Sequence, residues 1–286
     1  MEMKACKVFL LALCLATSVT HAYDRDRELL IAERLQERIK VGKPVWLGSG
    51  EQEFLAIHTE QMTPEPLGAI ILLHGLGAHP DWPIVISPLR KSLPQRGWIT
   101  VSIQLPVLSP EDNIEAYGKT LDEAVRRIDL TMEYLAGQEI EPVILLGYSF
   151  GGATAFHYVA GQENGKPALI GVAGVSALAQ PFLRPPLDLL EKISAISIPA
   201  LDIYGSRDFK EVVDQAADRR LAASKGENPW YEQIEIEGAD HSFSGLGTVL
   251  TKRISGWLKK LITEYRLSEE IENGEPESGS VDAGVQ

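Results

Sequence analysis

Residues 142–153, Pro-Val-Ile-Leu-Leu-Gly-Tyr-Ser-Phe-Gly-Gly-Ala, constrain this chain more than any other stretch. Val143, Ile144, Leu145 and Leu146 are a continuous apolar run, the pattern of a strand covered on both faces. Gly147-Tyr148-Ser149-Phe150-Gly151 comes next, a Gly-x-Ser-x-Gly string. From Ala153 the sequence has helical spacing and few breakers. Strand, tight turn and helix are the setting in which this string puts a serine hydroxyl clear of a sheet. Glycines at 147 and 151 leave room for chain that a side chain would block. The helix starts just behind Ser149, so its free N–H groups are poised to stabilise an anion there.

Such a string also arises by chance in glycine-rich loops, and it gains meaning from partners placed after later strands. Residues 69–73, Ala-Ile-Ile-Leu-Leu, read as another buried strand and run into His74-Gly75-Leu76-Gly77. A His-Gly-x-Gly loop at a strand end supplies one backbone N–H to an oxyanion site. Leu76 is the expected donor there, with the N–H of Phe150 as the second. His74 is read as structural, bonding within its loop. Residues 200–204 form a strand that leads into Gly205-Ser206-Arg207-Asp208, which makes Asp208 the candidate acid. Asp202 is its rival but lies inside the strand, and an ion pair with Arg207 is the competing role for Asp208. Residues 230–236 alternate as a last strand, and His241 in the loop after it is the candidate base. Asp240, its neighbour, is expected to point elsewhere, and His58 is assigned to structure.

The remaining sequence fills in a single α/β domain. Residues 45–47 and 53–59 read as an antiparallel pair turned at Gly48-Ser49-Gly50. Residues 98–105 read as a strand, 89–93 and 120–136 as helices, and 168–175 as a strand. The proline-bearing segment 180–196 leaves room for a small lid or none. Trp82 is a candidate apolar wall for the site. Residues 248–262 close the domain as a helix. Ahead of it all, residues 24–40 place Leu29, Leu30, Ile31, Leu35 and Ile39 at near-helical spacing, an amphipathic helix packed on the domain edge.

Composition narrows the partners. With 44% hydrophobic residues in 286, the chain can bury a large core. A formal charge of −13 argues against nucleic acid and anionic membrane surfaces. Lys4 and Lys7, an apolar stretch over residues 8–19 and Thr20-His21-Ala22 make an export signal, with cleavage expected after Ala22. The apolar stretch is shorter than the ~20 residues of a membrane span. Cys6 and Cys14 both lie in that signal, so the mature chain has neither a disulfide nor a thiol nucleophile. The expected organisation is a signal peptide at 1–22, an amphipathic helix at 23–44, the main domain at 45–266 and an acidic disordered tail at 267–286. The protein is expected in the periplasm or secreted. No metal-ligand cluster or nucleotide-binding glycine pattern is present, so no cofactor is called for.

With Ser149, Asp208 and His241 in that order, residues 45–262 resemble the α/β-hydrolase superfamily, and within it a group of exported bacterial proteins of unassigned activity. The resemblance implies a mostly parallel sheet with helices on both faces. It also implies a Ser-His-Asp triad cleaving a small-molecule ester or thioester. A binding protein that keeps the fold, and an amidase or peptidase using the same triad, are the alternatives.

Overall fold

The computed structural model describes residues 22–162, 168–178 and 181–274. The signal segment, most of the tail and both cysteines lie outside the described residues. Eight strands form one sheet in the order β1-β2-β4-β3-β5-β6-β7-β8. β1 (Lys43–Leu47) and β2 (Phe54–Thr59) are the expected antiparallel pair, and β2 also runs antiparallel to β4 (Trp98–Ile103). From β4 onward, β3 (Gly68–Leu73), β5 (Val143–Tyr148), β6 (Leu169–Val175), β7 (Ala200–Arg207) and β8 (Tyr231–Asp240) pair in parallel. β2 to β6 are buried along their whole length, which is why their sequences read as unbroken or nearly unbroken apolar runs.

Two apolar layers sandwich the sheet. One packs α3 (Leu121–Ala136), α4 (Phe150–Ala160) and α5 (Leu189–Ser194) on the odd-facing residues Ile71, Leu73, Val143 and Leu145. The other packs α2 (Ile86–Ser92) and α8 (Gly247–Gly274) on Ile70, Leu72, Ile144 and Leu146. Successive strand residues point to opposite faces, so one run feeds both layers.

At the amino end, α1 (Arg25–Gln36) is capped by the Asp24 side chain, which accepts from the Arg27 N–H at 2.9 Å. It packs on the domain edge as expected, but its most buried members are Glu28 and Ala32, while Leu30 is exposed. Glu28 meets Arg127 of α3 in a buried ion pair at 2.9 Å. Two helices fall where the sequence showed no element, α6 (Lys210–Asp214) and α7 (Ala216–Lys225). The inner face of α7 is Ala216, Arg219, Ala222 and Ala223, which carries no large apolar residue to mark a period. The last helix also corrects the expected start of the tail. It runs on through residues 267–274, where Leu, Ser, Glu and Ile give no breaker before Gly274. Among the described residues no helix is long and apolar enough to cross a membrane.

Candidate active site

Ser149 sits between β5 and α4 with φ 55° and ψ −117°, a conformation that costs a non-glycine residue of order 1–3 kcal/mol. The surroundings enforce it. Its N–H bonds the Val175 carbonyl of β6 at 2.8 Å. A Cβ on Gly147 would overlap the Gly151 carbonyl, and one on Gly151 would strike the carbonyls of Leu73 and His74. Both glycines are therefore demanded by the sharpness of the turn, and the turn holds the serine hydroxyl off the sheet.

Asp208 comes after β7 and His241 after β8, at the same end of the sheet as Ser149. The structure brings the three side chains together. His241 Nε2 lies 3.1 Å from Ser149 Oγ, and His241 Nδ1 lies 2.6 Å from Asp208 Oδ1. With Nδ1–H donating to the carboxylate, Nε2 is left to accept the serine proton. The Asp208 side chain is fully buried. Burial alone would push its carboxyl up, but hydrogen bonds from His241 and Ser176, the nearby imidazole and the Phe209 N–H outweigh that and hold it below the usual carboxylate range. Arg207 is not among its hydrogen-bond partners. Asp202, the rival acid, is sealed inside the domain with Arg219 at 2.7 Å and with Tyr231 and Gln233 on the same oxygen. Asp240 accepts from the N–H groups of Ser242 and Ser244, at 3.1 and 2.9 Å, and so shapes the loop that carries His241.

The loop after β3 lies against the nucleophile: a Cβ on Gly75 would stand 3.4 Å from Ser149 Cβ. His74 locks this loop. Its Nδ1–H donates to the Gly75 carbonyl at 2.8 Å, and its Nε2 accepts from the Leu105 N–H at 2.9 Å. Complete burial pushes its pKa down to about 3, so it stays neutral and structural. The 3₁₀ helix Ile114–Thr120 braces both segments that flank Ser149. The Tyr117 ring meets Phe150 edge-on at 5.7 Å, and its hydroxyl accepts from the Leu108 N–H at 3.3 Å and lies against Gly77. Leu76 and Phe150, the expected oxyanion donors, thus belong to two segments that both pack beside the same tyrosine. His58 is buried against the Tyr134 hydroxyl at 2.9 Å on β2, as a structural histidine. Trp82 packs edge-on to His79 and against the layer containing Tyr148.

Three further side chains at the site were given no role by the sequence. Ser176, at the end of β6, donates its hydroxyl to Asp208 Oδ2. Phe209 stacks on the His241 imidazole, with centroids 4.1 Å apart and planes 21° off parallel. Tyr148, the second residue of the Gly-x-Ser-x-Gly string, lies 5.3 Å from the same ring and donates its hydroxyl to the His241 carbonyl at 3.2 Å. The position of Phe209 directly after the candidate acid was its one sequence signal.

Comparison with known proteins bears on the fold. A family model described as "Protein of unknown function (DUF3530)" matches residues 17–124 and 108–260. No curated protein sequence matches the chain. Among solved structures, Est1E from Butyrivibrio proteoclasticus is similar with a TM-score of 0.62 at 13% identity, over 77% of this chain and 99% of that one. A dienelactone hydrolase from Anabaena variabilis is similar with a TM-score of 0.59 at 19% identity, over 76% and 96%. A soluble variant of monoglyceride lipase from Saccharomyces cerevisiae is similar with a TM-score of 0.60 at 15% identity, over 78% and 96%. At these identities the likeness establishes the fold, which is the α/β-hydrolase fold.

Proposed function

We propose, starting from a chain that belongs to the DUF3530 family of proteins of unknown function, that it is an exported serine hydrolase cleaving a carboxylic ester or thioester through an acyl-enzyme. One observation carries the reading. The hydroxyl of a serine held in a strained turn faces a histidine nitrogen at 3.1 Å, and the other nitrogen of that histidine is held by a buried carboxylate at 2.6 Å.

The chemistry proceeds from those atoms. His241 Nε2 takes the Ser149 proton as Oγ bonds to the substrate carbonyl carbon, and the C=O electron pair moves onto oxygen. Asp208 keeps the imidazole in the required tautomer and stabilises its positive form. The N–H groups of Leu76 and Phe150 are assigned to the oxyanion, where loss of one such donor costs about 3 kcal/mol. The intermediate collapses, the C–O or C–S bond to the leaving group breaks, and His241 gives its proton to the departing atom. Water then attacks the acyl-serine with His241 as base, freeing the acid and returning the proton to Ser149. Export is supported by the basic, apolar and small-residue pattern of residues 1–22.

The test is labelling with a serine-reactive fluorophosphonate, alongside hydrolysis of p-nitrophenyl esters of increasing chain length. Ser149 is expected to be the labelled residue, on a protein recovered from the exported fraction with Tyr23 first. Ser149→Ala is expected to lower kcat by at least about 10⁴-fold. Folded protein that neither takes the label at Ser149 nor loses ester cleavage in the variant would remove the proposal.

A further inference from the structure

We propose that Phe209 is the surface that reads the leaving group, so that the preferred substrates are esters of apolar, ring-bearing alcohols rather than of small or polar ones. The proposal rests on the serine-hydrolase reading and names the substrate class for that site.

Phe209 is fixed by the triad itself. Its N–H donates to Asp208 Oδ1 at 2.7 Å, the same oxygen that holds His241. Its ring then lies nearly parallel to the imidazole at 4.1 Å. One face of the ring is thereby used, and the residue remains 52% exposed. The direction of the chemistry gives that exposed surface a use. His241 Nε2 must hand its proton to the leaving oxygen, so that oxygen comes within hydrogen-bond reach of Nε2. The groups attached to it are then carried past the imidazole, and the ring stacked on the imidazole is the apolar surface beside them. On this assignment the acyl half is the part bonded to Ser149 and turned toward the loop of Leu76, and the alcohol half is the part read by Phe209. A ring in the alcohol half can stack on, or meet edge-on, the free part of Phe209, an arrangement that raises binding about 2- to 10-fold beyond the area it buries. A polar or two-carbon alcohol gains nothing there.

The measurement compares acetates that differ only in the alcohol: benzyl, ethyl and 2-hydroxyethyl. In the wild type the benzyl ester is expected to exceed the ethyl ester in kcat/KM by about 10-fold, mostly through KM. Phe209→Ala is expected to slow all three together, because His241 loses its stacking partner, and in addition to shrink the benzyl-to-ethyl ratio to below about 2. Phe209→Tyr is expected to keep the ratio. Changing the acyl group from acetyl to butyryl with ethanol constant should give a ratio that Phe209→Ala leaves alone. A benzyl preference absent in the wild type, or unchanged in Phe209→Ala, would overturn the proposal. A second arm needs no turnover: benzyl alcohol, and not ethanol, is expected to perturb the Phe209 and His241 side-chain NMR signals of the Ser149→Ala protein saturably. No perturbation overturns the platform even if esters are cleaved. Binding without any ester cleavage by the wild type keeps the platform and removes the hydrolase reading.

Discussion

Ser176 has φ 52°, a left-handed conformation that a non-glycine residue adopts only when its surroundings insist. Its N–H is held by the Ile203 carbonyl at 2.7 Å, and its hydroxyl donates to Asp208 Oδ2. The other carboxylate oxygen serves His241 and the Phe209 N–H. Ser176 therefore aims the acid: with Oδ2 tied down, Oδ1 faces Nδ1. Removing a hydrogen bond to a buried charge costs about 1.5–3 kcal/mol. Ser176→Ala is accordingly expected to lower kcat by about 10-fold or more with KM nearly unchanged, and to lower the thermal midpoint by several degrees. An unchanged kcat would show that Asp208 needs no such support. At this scale the sequence disclosed only the residues that obey a local pattern. Ser149 lies in a spaced string, and Asp208 and His241 fall past the ends of later strands. Ser176 is one serine after an apolar strand, and its partner is 32 positions away. Its role comes from tertiary contact and leaves no local trace.

The same division holds for whole elements. The spacing of Leu29, Leu30, Ile31, Leu35 and Ile39 made α1 legible as a helix, but not the charge that anchors it. Glu28 accepts two bonds from Arg127, at 2.9 and 3.2 Å, and one from the Val107 N–H at 3.1 Å. Arg127 also donates to Glu123 at 2.8 Å and to the Gln104 carbonyl at 3.0 Å. Both members of the pair are almost wholly excluded from solvent. Breaking such a pair leaves a buried charge unmatched and costs about 3–5 kcal/mol, whereas replacing both by apolar residues is often neutral. Glu28→Ala is expected to lower the urea midpoint by that amount of stability. The double variant Glu28→Met, Arg127→Met is expected to recover most of it. An unchanged urea midpoint in Glu28→Ala would mean that α1 is held by its apolar side alone. Buried strands were read well because both faces are covered and the apolar run is continuous. α7 was not, because alanines and a buried arginine line its inner face, and periodicity needs large side chains to be seen.

At the scale of the whole molecule, burial of histidine sets how the fold responds to acid. Burial pushes His74 down from 6.5 to about 3, and it pushes His58, His79 and His157 down as well. Below pH 6.5 the unfolded chain takes up these protons more readily than the folded chain, so stability falls as pH falls. At pH 5 the unfolded pKa of His74 is about 1.5 units above the pH, which amounts to about 2 kcal/mol from this residue alone. Glu28 works the other way, since burial raises its carboxyl against the pull of Arg127. Asp81, Glu123 and Asp208 are held low by their partners, and their contribution is lost only as pH falls through the carboxylate range. Between about pH 7.5 and 5 the histidines therefore dominate. Urea unfolding at constant m-value is expected to show stability declining across that window. His74→Asn, which keeps a donor and an acceptor but no titrating ring, should be less stable at about pH 7.5 yet decline by about 2 kcal/mol less by pH 5. Parallel curves for the two proteins would mean that His74 gains a proton in the folded state, and that the loop beside Ser149 opens far enough to let it.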